Sequence, residues 1–375
     1  MKRIVLLKSN ARNKGGLEKA ASRIGSAFVQ QGAEVTILTT GNSSSSDGQI
    51  QVVSTPVIPW PAFLRMEQFD RFTQSWLRRK PADLVFGMDR NRVQTHIRAG
   101  NGVHRAYLES RIHVEGRLKY WSCLFNPMHQ KILELEQAAF EYPGLQKLFT
   151  NSHMVKNQIL ERYRVDPQKI QVVHNGVEWH EMQQDFDTWS EKRKELFKHW
   201  GLPTNRFHLL FVGNGYLRKG LGQLLEAIAA LKEPNLFLSV VGKDSNQPLF
   251  EAKACKLGIQ KQVRFFGQQE SIRPFYLMSD ALAIPSFYDP FANVTIEALA
   301  MGLFVCSSKC NGGIEILHPD CGAVIEDLLS IESIQAALRI ALQHPKTLES
   351  ALRARKSVEH LDFSHQMDLL IESCL

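Results

Sequence analysis

Strand-length apolar runs alternate with helix-length amphipathic stretches along the whole chain, and the alternation restarts once past its middle. Such alternation is the pattern of parallel sheets joined by crossover helices, so the fold class expected is α/β. In the first half, strands are expected near 3–7, 34–39, 83–87, 147–150 and 170–173, with helices notably over 17–31 and 127–141. The Gly/Asn/Ser cluster at 41–46 reads as a loop. After His174-Asn175-Gly176-Val177 the pattern turns polar as far as Leu202-Pro203, which reads as a linker. A second series follows, with strands expected near 208–212, 236–241, 263–266, 281–284, 304–307 and 323–325, and a last helix over 362–374. At 375 residues the chain exceeds one ordinary core and fits two domains.

Composition narrows the function classes. No run approaches the roughly 18 apolar residues of a membrane span, and the start, Met1-Lys2-Arg3-Ile4-Val5-Leu6-Leu7-Lys8, has too short an apolar stretch for a signal peptide. A cytoplasmic protein is expected. The six cysteines show neither C-x-x-C pairs nor zinc spacing and read as reduced thiols. The net charge of +7 is uneven: residues 1–200 carry 29 Lys and Arg against 20 Asp and Glu. With no nucleic-acid motif in sight, the basic half suits an anionic membrane surface, a phosphorylated acceptor or plain water.

Three segments could carry chemistry. Asn13-Lys14-Gly15-Gly16-Leu17 lies between the first strand and the first helix, where glycines let a ligand approach the backbone and a helix N-terminus favours an anion; a plain tight turn is the alternative. Phe211-Val212-Gly213-Asn214-Gly215-Tyr216-Leu217-Arg218-Lys219-Gly220 repeats that arrangement, with two cations expected in the first turn of the next helix. Cations there oppose the macrodipole by about 0.3–1 kcal/mol each unless an anion intervenes. A diphosphate meets that need, since Arg forks two oxygens and Lys supplies a point charge. In the segment from Ser286 to Leu299, Asp289-Pro290 reads as an N-cap followed by proline at the first helical position. Glu297, further along that helix, is either a buried cap partner or an acceptor for two neighbouring hydroxyls such as a ribose presents. An Asp185-Phe186-Asp187 triplet imitates a D-x-D metal motif but follows no strand.

Taken in order, Gly15-Gly16, Asn101-Gly102-Val103-His104, His174-Asn175-Gly176-Val177, Arg218-Lys219, and Asp289 and Glu297 with seven residues between them make the chain resemble the retaining GT-B glycosyltransferases of family four. Within that family it looks most like the lipopolysaccharide-core glucosyltransferase group. The resemblance implies two Rossmann-like domains facing each other across a cleft. These are an acceptor domain over 1–195, a donor domain over 196–360 and a C-terminal helix at 361–375 that crosses back. It implies transfer of a hexose, glucose first, from a nucleotide diphosphate sugar, UDP first, to a glycolipid or oligosaccharide acceptor such as a lipopolysaccharide core. UDP-N-acetylglucosamine and GDP-mannose are the next donors.

No metal or other cofactor is implied. Arg218 and Lys219 would neutralise the leaving group and Asp289 would contact the donor sugar. Glu297 would take the ribose, and the Phe291, Ala292, Asn293, Val294 and Thr295 backbone the diphosphate. Gly15, Gly16, Gly213 and Phe266 complete the implied donor site. Asn101 stands where members of the family carry Asp or His near the reacting carbon; it cannot act as a base, so the departing phosphate oxygen would take the proton. His104 is an alternative polar contact on the acceptor side. Peripheral attachment to an anionic membrane is implied, and no nucleic-acid partner. A catalytically impaired sugar-nucleotide-binding protein is the rival suggested by Asn101 and Asp289. A Rossmann oxidoreductase has only Gly213-Asn214-Gly215 in its favour.

Overall fold

Parallel pairing dominates both sheets of the computed structural model, which describes residues 1–9, 16–41, 45–47, 50–58 and 60–375. The first sheet contains β1 (Arg3–Leu7), β2 (Glu34–Thr40), β3 (Ser45–Asp47), β4 (Ile50–Thr55), β5 (Leu84–Gly87), β6 (His96–Arg98), β7 (Lys147–Thr150) and β8 (Ile170–Val172). Their order is β3-β4-β2-β1-β5-β6-β7-β8, and only the edge strand β3 runs antiparallel to its neighbour. The second sheet contains β9 (Phe207–Val212), β10 (Leu236–Val241), β11 (Val263–Gly267), β12 (Ala281–Ile284), β13 (Phe304–Ser308) and β14 (Gly322–Ile325). It is parallel throughout, in the order β11-β10-β9-β12-β13-β14. Each sheet thus starts at a central strand, builds outward on one side, and then returns to build on the other. The reversals fall between β1 and β5 and between β9 and β12, and the crevice beyond the carboxyl ends of such a pair is where open α/β sheets bind ligands.

Apolar periodicity located the buried strands and missed three others, β3, β4 and β6. Residues of β4 are mostly half-buried, and β6 is a three-residue strand without an apolar run. Parallel neighbours on both sides hold β6 in place, something tertiary pairing supplies and local sequence does not. The expected loop at 41–46 also needs correcting, because Ser45–Asp47 pairs with β4; residues 42–44 lie outside the described residues.

The chain divides into one unit of Met1–His174 with Gln366–Leu375 and another of Asn175–His365. The boundary expected at 195 is therefore some twenty residues too late, and the supposed linker forms helices, Gln183–Asp187 and Trp189–Trp200. Its polar residues mislead because their partners are distant in sequence. Arg193 forks the Asp280 carboxylate at 3.0 and 2.7 Å, and the His208 amide donates to the same group at 2.8 Å. Gly176 has its own reason to be glycine: a Cβ there would stand 2.6 Å from Phe363 Cα, beside the Val177–Leu361 and Phe363–Val177 backbone hydrogen bonds.

Lys346 closes the Asp280 network. Its ammonium lies 4.6 Å from the centre of the Trp189 ring and donates to the Tyr276 carbonyl at 3.2 Å. Burial, reinforced by the Arg193 charge and partly offset by Asp280, lowers its pKa from the ordinary lysine value to about 7. Between pH 7 and the ordinary lysine value of about 10.4, the unfolded chain therefore holds a proton that the folded chain does not, and stability gains with rising pH across that window. Melting temperatures of wild type and Lys346→Met, compared from pH 7 to 9.5, should show the wild type gaining relative to the variant as pH rises. A constant difference would sink this account.

Candidate functional site

At the reversal between β9 and β12, two loops meet. The first leaves β9 through Gly213 and turns over Tyr216–Gly220 before the helix Leu221–Leu231. Arg218 and Lys219 therefore sit in the turn, and the expectation that they belong to the first helical turn is corrected: Gly220, in the left-handed region at φ 72°, ends the turn and caps the helix. The turn is held firmly. Tyr216 is fully buried, its hydroxyl donates to the Gly242 carbonyl at 2.8 Å, and its amide donates to the Asp244 carboxylate.

The second loop leaves β12 through Pro285 and Ser286. Phe287 N–H donates to the Arg218 carbonyl at 3.0 Å, and the Arg218 guanidinium donates to the Tyr288 carbonyl at 3.0 Å, so the loops are stitched from both sides. Lys219 runs across Gly213, where a Cβ would meet its side chain at 3.1 Å, and its ammonium pairs with Asp289 Oδ2 at 2.5 Å. Both side chains are nearly buried, at 12% and 11% exposure. Lys219 thus has a counter-ion within the protein, and its placement alone does not require an outside anion, whereas Arg218 is met by a neutral carbonyl.

Asp289 is not the N-cap that its Asp-Pro sequence suggests. The helix spans Asn293–Ala300, its N-cap is Ala292, and no side chain of that residue caps it. Asp289 is drawn away by a parallel bridge to Asn311 and by the Lys219 pair. Asn311 supplies the order that the cap would have given: Oδ1 accepts from Ala292 N–H and Gly313 N–H, each at 3.0 Å, while Nδ2 donates to Ser307 at 2.8 Å and Thr295 at 3.2 Å. In the Phe291–Thr295 stretch, the Ala292 amide is therefore taken by Asn311 and the Thr295 amide by the Ala292 carbonyl. Asn293 and Val294 begin the helix, so their amides have no carbonyl one turn behind them within it. Asn293 also accepts from the Asn175 side chain at 2.7 Å, which brings the His174–Val177 motif to this site.

Glu297, in the same helix, accepts from the Tyr276 hydroxyl at 2.7 Å. Burial raises its pKa, against the hydrogen bond from Tyr276 and the charge of Arg273. Phe266 is one step away through the helix Arg273–Met278, its ring against Phe275 at 4.9 Å, Trp200 at 5.2 Å and the Arg264 guanidinium at 5.1 Å. Sequence reasoning missed Tyr276, Asn311 and Arg273. An Asn-Gly-Gly following a strand was a usable signal for Asn311; nothing local marks Tyr276.

In the other unit, Gly15 lies outside the described residues and Gly16 opens the helix Gly16–Gln30. Lys8 pairs with Asp89 Oδ1 at 2.7 Å at the β1–β5 reversal, and Ser9 N–H donates to the other oxygen at 2.6 Å. Asn101 is exposed in a turn closed by Gly102 N–H to the Ala99 carbonyl at 3.0 Å, with Gly102 at φ 70°. His104 opens the next helix, and its Nε2 lies 3.0 Å from His129 Nδ1. Burial, with the charges of Arg90, His129 and Arg111, lowers its pKa to about 3, so at neutral pH it is an uncharged hydrogen-bonding group. The Asp185 carboxylate of the D-x-D look-alike is held by Lys192 at 2.9 Å and Arg273 at 3.3 Å.

The glycosyltransferase family 4 model matches residues 14–180 and the glycosyl transferases group 1 model matches residues 192–358. The chain is 26% identical over 358 residues to the lipopolysaccharide glucosyltransferase WaaG of Escherichia coli K12, covering 93% of this chain and 92% of that one. A crystal structure of WaaG superposes with a TM-score of 0.78 at 24% identity, covering 99% of both chains. Anabaena HepE, solved in complex with UDP and glucose, matches with a TM-score of 0.67 at 17% identity over 100% of this chain and 99% of that one.

Proposed function

Because the chain is a glycosyltransferase of GT-B fold that resembles the lipopolysaccharide-core glucosyltransferases, we propose that it moves a hexose, glucose first, from a UDP-sugar to a lipopolysaccharide-core or related glycolipid acceptor, with retention and without a metal. The observation that carries this reading is the meeting of Arg218, Lys219 and Asp289 at the carboxyl ends of β9 and β12, with Glu297 in the helix that follows. The name of the E. coli relative favours a lipopolysaccharide acceptor, and HepE's complex with UDP and glucose favours that donor.

In this mechanism Arg218 and Lys219 take up the charge that develops on the departing diphosphate, a use of preorganised electrostatics. The Asp289 carboxylate trades part of its hold on Lys219 for the donor sugar's hydroxyls. Tyr276 fixes one oxygen of Glu297 and leaves the other for the ribose. The acceptor oxygen forms the new bond to the anomeric carbon on the face that the diphosphate leaves. The acceptor's proton passes to the departing phosphate oxygen, since Asn101 has no basic group and His104, its pKa lowered to about 3, is too weak a base to take it. Asn101 and His104 then serve the acceptor through hydrogen bonds.

Membrane contact is part of the proposal. Among the described residues no helix is long and apolar enough to cross a membrane. The helix Arg117–Leu124 nevertheless exposes Leu118 at 89% and Trp121 at 57%, with Phe125 beyond it at 75%, beside Arg117 and Lys119. Apolar side chains flanked by cations suit the interface of an anionic bilayer.

One set of assays tests the whole reading. A thermal-shift panel of UDP-, GDP- and ADP-sugars should favour UDP, and transfer to a lipopolysaccharide-core acceptor should persist in EDTA and give the donor's anomeric configuration. Binding to anionic but not neutral vesicles should accompany it. Stabilisation by NAD alone, or donor binding with no transfer to any core acceptor, would overturn the proposed activity.

A further inference from the structure

Glu136 lies on the helix Pro127–Phe140 with its side chain at 0% exposure. A carboxylate in that position is costly unless donors surround it, and four do. Oε2 accepts from Arg90 Nε at 2.8 Å and from the His104 amide at 2.7 Å. Oε1 accepts from the Tyr163 hydroxyl at 2.6 Å and from the Arg105 amide at 3.3 Å. The helix His104–Glu115 has Val103 as its N-cap residue, which offers no side-chain cap, so Glu136 caps it from another helix. Arg90 extends the hold: its Nη2 donates to the Gly102 carbonyl at 2.8 Å. The turn carrying Asn101 is thereby tied at Gly102 by the guanidinium and at His104 and Arg105 by the carboxylate.

We propose that Glu136, acting with Arg90, is a positioning residue that holds the Asn101–His104 turn in one conformation for the acceptor. The inference rests on the acceptor role given to that turn above. Ordinary structural support would need the carboxylate only to be satisfied. Here one of its donors is the His104 amide of the turn itself, and the second arm of its arginine reaches the Gly102 carbonyl of the same turn. Tyr163 supplies the control, because its hydroxyl satisfies the same carboxylate and its further contact is with the Arg105 side chain, outside the Asn101–His104 turn.

Glu136→Gln places an amide where two donors now point, and Arg90→Lys keeps a cation beside Glu136 while losing the fork that also reaches Gly102. If the first variant fails to fold, the second carries the test. In both, hydrogen exchange of the 101–105 amides should accelerate at least tenfold. Acceptor kcat/KM should fall about tenfold at a temperature where circular dichroism shows a folded protein, with UDP-sugar Kd within twofold of wild type. Tyr163→Phe should lower the melting temperature and leave acceptor kcat/KM unchanged. Unaltered exchange, acceptor kinetics within twofold of wild type, or an equal kinetic loss in Tyr163→Phe would each overturn the proposal. Asn101→Ala checks the underlying assignment separately: an acceptor KM that does not move there removes the acceptor role of the turn, whatever the exchange rates show.

Discussion

Replacing Lys219 with alanine is expected to lower turnover by roughly tenfold or more, and Arg218→Ala to do the same, because each removes charge stabilisation from the departing diphosphate. The two losses differ in origin. Arg218 is tied to the Tyr288 carbonyl, a neutral group, so its removal strands no ion. Lys219→Ala leaves the Asp289 carboxylate, 11% exposed, without its cation. Breaking a buried pair from one side costs about 3–5 kcal/mol, and a fall in melting temperature should accompany the kinetic effect. Lys219→Ala with Asp289→Asn removes both charges and should regain much of that stability without regaining turnover. Full activity in both single alanine variants, measured by transfer at saturating donor, would remove the diphosphate role from this turn.

Gly220→Ala should be more damaging to the protein than its single methyl suggests. The residue occupies φ 72°, and an added Cβ would lie 1.9 Å from the Pro285 carbonyl oxygen. The left-handed conformation costs a non-glycine residue roughly 1–2 kcal/mol, and relieving the clash requires the β9 and β12 loops to part. A total loss of about 3 kcal/mol or more is expected, among the larger effects of single substitutions. For a unit of this size that lowers the melting temperature by about 6–12 °C. Donor affinity should fall as well, since the loops that separate are those carrying Arg218, Lys219 and Asp289. A melting temperature within about 2 °C of wild type would show that the loops can open cheaply, contrary to the close approach seen here.

Much of this site was legible because its parts announce themselves locally. A glycine loop after a buried strand, two adjacent cations, and a carboxylate eight residues before another are patterns of near neighbours. Their relations were not legible. Lys219 and Asp289 are 70 positions apart, and where the local pattern points to an outside anion for Lys219 the chain supplies its own carboxylate. The Asp-Pro cap failed for the same reason: Asn311, which takes the Ala292 amide, is contributed by the loop after β13. The domain boundary was misplaced because Arg193 looks like a solvated linker residue until Asp280, 87 positions on, is seen to receive it.

By itself, then, the amino-acid sequence determined the α/β class, the alternation of strands and helices, and the order of the motifs. Those depend on periodicity and on backbone preferences that each short segment carries with it. Tertiary structure alone decided which charges pair, where the Asn293–Ala300 helix begins, and that Glu136 caps the helix opening at His104 from 32 residues away. Ion pairs and trans caps form between whichever groups the packed sheets and helices bring within about 3 Å of each other. That distance is set by the fold as a whole and leaves no local trace in the chain.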